Sequence, residues 1–192
     1  MNLFDRLALL ATGLVAIYVI WGLYRRYRGE KGLHDVYYLL GFVVLLVSGL
    51  LLIGFGWEIL ASPYVLTVAT LIPLGISMGL MNQFVPEYKK YYAWFALVGL
   101  LTIAVTSIGG MSLKKVAVPL FHSVAGLIIF LLPFKLSLSR KVPDGFWWVG
   151  IGGMLIGIGG IALAFLTSGA QLLFFSEQVV LAILAPLLLL MT

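Results

Sequence analysis

His122 offers the most chemistry in this chain, because it stands inside an otherwise apolar run, VAVPLFHSVAGLIIFLLPF, from Val116 to Phe134. An imidazole can bind or release a proton near neutral pH, hydrogen-bond a solute or ligate a metal. Two carboxylates, Glu58 and Glu177, and two uncharged polar residues, Ser123 and Gln178, come to a similar depth if the chain crosses a membrane repeatedly. Ionisable groups within a bilayer are costly and mark pathways or binding sites. His122, Glu177, Glu58, Ser123 and Gln178 are therefore the expected site, able to bind a proton or cation, orient a polar solute or gate with pH. The purely structural alternative is that His122 and Glu177 satisfy each other and hold two helices together.

Membrane helices must position these groups, and composition demands them. With 62% hydrophobic residues, 10% charged and a mean hydropathy of +1.14, the 192 residues are unlike a soluble globule, in which about a quarter of residues are charged. A span needs roughly 17–25 apolar residues, and seven such runs can be drawn: 7–24, 37–57, 63–82, 91–110, 116–134, 146–166 and 171–191. The expected fold is an all-α integral membrane protein, a seven-helix bundle forming one transmembrane domain over residues 1–192. The first run ends in RRYR and lacks a small-residue cleavage site, so it reads as a retained anchor rather than a secretory signal.

Positive loops stay on the cytoplasmic side. Of the twelve Lys and Arg, nine fall on one face: Arg25, Arg26, Arg28, Lys31, Lys89, Lys90, Lys135, Arg140 and Lys141. The predicted topology has the N-terminus outside and the C-terminus cytoplasmic. It also accounts for the net charge of +5 through anionic lipid headgroups, with no need for nucleic acid. Spans five and seven then both run inward, which puts His122 and Glu177 in the outer third with Glu58 slightly above.

Other motifs narrow the chemistry. Gly-Ile-Ser-Met-Gly at 75–79 has the spacing of a serine hydrolase elbow, but that elbow joins a strand to a helix, whereas this segment lies in mid-helix. Helix rise puts Ser77 about 20 Å below the outer rim and His122 about 10 Å below it, so no base reaches the serine. All the lysines lie in loops, which leaves a Schiff-base chromophore no attachment within a span. Cysteine is absent, excluding thiol redox and thiolate metal sites. His34 and Asp35 follow the first loop and read as a solvated interfacial pair.

Pro73 in span three predicts a kink, since proline frees a carbonyl one turn earlier. Pro119, His122, Gly126, Ile129 and Pro133 fall on one helical stripe and predict an inward face. Gly150, Gly153, Gly157 and Gly160 form a second stripe, suited to close packing within the bundle or to a homo-oligomer or membrane-complex partner.

Three functions follow as expectations. The leading one is a small multi-pass transporter or channel for an ion or small polar solute, in a cell membrane of prokaryotic type, needing no cofactor or metal. The second is a membrane subunit of an electron-transfer complex in which His122 binds haem b, with Met111 as the partner ligand nearest in depth, or lines a quinone pocket. The third is a structural or assembly subunit.

Overall fold

The computed structural model describes residues 1–167 and 177–190, and among these every regular element is a helix. They are α1 (Leu3–Glu30), α2 (Leu33–Phe55), a short 3-10 turn (Trp57–Ala61), α3 (Pro63–Ala69), α4 (Leu71–Phe84), α5 (Lys89–Ile108), α6 (Lys114–Leu138), α7 (Trp147–Thr167) and α8 (Glu177–Leu190). Among the described residues, five helical stretches are long and apolar enough to cross a membrane: α1, α2, α3 with α4, α5 and α6. The chain is thus a helical bundle of membrane-protein type. α7 runs for 21 residues and α8 for 14.

Local chemistry sets the helix ends. Asn2 and Asp5 form a reciprocal cap at the start of α1, with the Asn2 side chain accepting from the Asp5 amide at 2.8 Å and the Asp5 carboxylate from the Asn2 amide at 2.9 Å. Lys31 closes α1 in the left-handed region at φ 51°, and Gly56 closes α2 at φ 73°. The third predicted span is interrupted at a single residue: Thr70 keeps helical backbone angles (φ −60°, ψ −24°) and donates to the Leu66 carbonyl, and Leu74 donates to that of Thr70. α3 ends at Ala69, and α4 resumes at Leu71. Pro73 explains the interruption, because it has no amide hydrogen for the carbonyl of Ala69.

Lipid removes the hydrophobic drive for helices to associate, so close approach must come from small residues. A Cβ on Gly75 would lie 2.9 Å from the Tyr37 carbonyl and 3.1 Å from the Gly41 amide, so the backbones of α2 and α4 touch. The α6–α7 contact is the most extensive in the bundle. There a Cβ on Gly153 would lie 2.7 Å from the Ile129 carbonyl carbon, and one on Gly150 would lie 2.8 Å from the Phe130 carbonyl oxygen. The glycine stripe of α7 therefore faces α6. Farther along, a Cβ on Gly157 would meet nothing within 4 Å among the described residues. The helices remain close there, since a Cβ on Gly126 would lie 3.5 Å from the Gly157 Cα; only the direction of Gly157's own Cβ is open.

Buried residues gather in three patches: Ala8, Leu9, Leu52 and Ala185 between α1, α2 and α8; Tyr38, Ile76, Leu80 and Ile129 between α2, α4 and α6; and Ile103, Ala117, Val118 and Phe121 between α5 and α6. Gly126, Ile129 and Pro133 are buried as the α6 stripe predicts.

Candidate functional site

His122 sits two turns into α6, and its Nδ1 lies 3.0 Å from the Val118 carbonyl oxygen. A carbonyl can only accept, so Nδ1 carries the hydrogen and donates it. In the neutral ring Nε2 then keeps its lone pair. No described residue hydrogen-bonds that nitrogen. The local sequence explains the geometry, since an i to i−4 reach along a helix brings the ring against the carbonyl one turn back.

The imidazole borders a cavity of about 150 Å³. Leu9 and Thr12 of α1, Ser48 and Leu52 of α2, Ala69 and Pro73 at the α3–α4 junction, Gly160 of α7 and Leu184 of α8 contribute to its wall. The α6–α7 pair borders the cavity here, with the His122 ring 3.7 Å from where a Gly160 Cβ would stand. The wall is mostly aliphatic. Its polar side chains among the described residues are Thr12, Ser48 and His122. Thr12 donates to the Ala8 carbonyl at 2.9 Å, which leaves only acceptor capacity, while Ser48 has no hydrogen-bond partner among the described residues. A cavity of this size holds a benzene-sized guest and falls below the roughly 300 Å³ at which drug-sized ligand pockets begin.

The expected site residues divide around this cavity. His122 lines it. Ser123, its neighbour on α6, is partly buried and lies outside the cavity wall. Glu58 is exposed in the 3-10 turn, and the same turn sends Leu60 rather than the carboxylate to the cavity. Met111 is 48% exposed in the α5–α6 turn. The side chains of Glu177 and Gln178 lie outside the described residues. Thr12 and Ser48 join His122 without having been expected, and the first span is therefore more than an anchor. Ser48-Gly49 in span two was a legible signal, a hydroxyl beside a residue that leaves space; Thr12 had none of its own.

A second polar cluster lies at the other end of α2. Asp35 is fully buried and ion-paired with Arg26, whose Nε donates to Oδ1 at 2.6 Å and whose Nη2 bonds the same oxygen. His34 Nε2 stands 3.7 Å from that oxygen, and the Tyr38 hydroxyl donates to Gln83 Oε1 at 3.0 Å, tying α2 to α4. The expected solvated pair is corrected on this point. The tight α1–α2 turn at Lys31 and Gly32 folds Arg26 back over Asp35, so the carboxylate meets a guanidinium instead of water.

Ser77 has no exposure, and its hydroxyl donates to the Pro73 carbonyl at 2.5 Å. The Tyr92 hydroxyl therefore donates to Ser77 Oγ, at 2.7 Å, and joins α5 to α4. The serine is a structural link, in keeping with the rejection of a hydrolase elbow. Tyr92→Phe and Ser77→Ala should each cost about 1 kcal/mol. In a denaturant titration of the detergent-solubilised protein, the double variant should lose little more than either single one.

Among the described residues no cluster of three His, Asp or Glu side chains could hold a metal ion. Comparison with protein-family models, with curated proteins and with solved structures returned no match. Fold and geometry define the class alone: a helical bundle with helices long and apolar enough to span a membrane, holding a small, largely apolar cavity whose described wall includes one imidazole.

Proposed function

We propose that this protein is a small multi-pass membrane transporter or channel for a small polar solute, that its chain crosses the membrane seven times with the N-terminus outside, and that the His122 cavity is the solute site. The carrying observation is that His122, whose Nε2 has no partner among the described residues, lines a cavity to which α1, α2, α3, α4, α6, α7 and α8 all contribute. Pro73 supports the same reading, because it leaves the α3–α4 helix one backbone hydrogen bond short where Ala69 and Pro73 both border the cavity. Glu58 and Glu177 belong to the approach from the outer side. In proteoliposomes, His122→Ala should lower solute flux about tenfold, the effect of one desolvated hydrogen bond, and Glu58→Gln should leave it within about twofold. Unchanged flux in His122→Ala would remove the site assignment.

A second reading has one observation in its favour. Metal-ligating histidines commonly donate one ring N–H to a backbone carbonyl, and His122 does so toward Val118. A haem-binding electron-transfer subunit would use Nε2 as its ligand. The donor suits the iron, whereas the volume of about 150 Å³ favours a smaller guest and places this reading second. A Soret band in purified protein, lost in His122→Ala, would reverse this order.

A further inference from the structure

We infer that the His122 cavity selects small neutral molecules that donate hydrogen bonds, such as carboxamides and alcohols, and rejects both anions and equally small molecules that lack an N–H or O–H group. This rests on the cavity being the solute site. The imidazole hydrogen of His122 is committed to Val118, so Nε2 accepts. The Thr12 hydroxyl hydrogen is committed to Ala8, so its oxygen accepts as well. Pro73 has no amide to offer the carbonyl of Ala69, and both residues border the cavity. Ser48 holds the one hydroxyl hydrogen in the wall that no described residue takes, enough for a single solute carbonyl.

The largely apolar wall thus offers side-chain acceptors at His122 and Thr12, one donor at Ser48 and no charged side chain among the described residues. An anion would meet lone pairs and leucines, and the wall provides no countercharge to offset its loss of hydration. A molecule without a donor would leave Nε2 desolvated and unpaired, a penalty that produces strong discrimination at sites built to bind a hydrogen-bonding group. The volume of about 150 Å³ suits a guest near benzene in size.

Butyramide, its isomer N,N-dimethylacetamide and the butyrate anion separate these properties at nearly constant size. The protein has two histidines, so a His34→Gln variant labelled with 15N-histidine reports His122 alone. Butyramide should shift the Nε2 resonance and bind about tenfold tighter than dimethylacetamide, and butyrate should leave the resonance in place. Equal binding of the two amides, or tighter binding of butyrate, overturns the inference. Proteoliposome flux is read separately. Donor-selective binding without butyramide flux would retain the ligand class and reject transport, whereas flux that ignores the donor would retain transport and reject the class.

Discussion

Arg26→Ala should destabilise the protein by about 3 kcal/mol, the low end of the range for removing one partner of a buried ion pair, because the guanidinium is 38% exposed. Asp35 has no exposure, and its Oδ2 already lacks a partner among the described residues. Without Arg26 the whole carboxylate would be buried beside only the His34 ring, at 3.7 Å. Such a group must either take up a proton or pull water into the α1–α2 turn. Replacing both residues, as Arg26→Leu with Asp35→Leu, should recover most of the loss, since the cost lies in the unpaired charge and not in the missing bond. The check is a denaturant titration of the detergent-solubilised single and double variants. A double variant no more stable than Arg26→Ala would mean that the pair contributes by its contacts rather than by its charge balance.

Gly153→Leu should be comparably damaging, about 3 kcal/mol or more, because even its Cβ would lie 2.6 Å from Ile129 Cγ2 and 2.7 Å from the Ile129 carbonyl carbon. A backbone atom cannot turn away as a flexible side chain can, so α7 must separate from α6 at this point. Gly157→Ala, one turn farther on the same stripe, should be neutral or stabilising by up to about 1 kcal/mol, since its Cβ enters space that no described residue fills and alanine favours the helix. Thermal unfolding of the two variants side by side tests the asymmetry. Equal losses at both positions would deny that the Gly157 Cβ position is free while the Gly153 one is filled.

Much of the architecture was legible because lipid imposes simple demands. Long apolar runs predict the helices, and the boundaries differ mainly where local chemistry intervenes: the Asn2 cap starts α1 four residues early, and Pro73 interrupts the third span between α3 and α4. The stripe logic also served well on α6, where Gly126, Ile129 and Pro133 are buried together, and on α7, whose glycines meet Ile129 and Phe130. The site was only partly legible. His122 was conspicuous as an imidazole in an apolar run, but depth along the membrane normal does not say which helix lies beside which. Glu58 shares the expected depth yet is exposed in a turn, while Thr12 and Ser48 reach the cavity through contacts between distant segments. The Arg26–Asp35 pair was missed for the opposite reason. A short loop rich in polar residues looks solvated until the left-handed turn at Lys31 folds it against the bundle.

The central claim is that solute passes through the cavity beside His122, and the absence of native cysteine makes it directly testable. A Ser48→Cys variant carries the only thiol, on the cavity wall, and Leu127→Cys places one on the outside of α6, where Leu127 is 54% exposed. After complete reaction with a small neutral methanethiosulfonate in proteoliposomes, butyramide flux through Ser48→Cys should stop, while flux through Leu127→Cys should continue. Full modification of the Ser48→Cys thiol with flux unchanged would contradict the account.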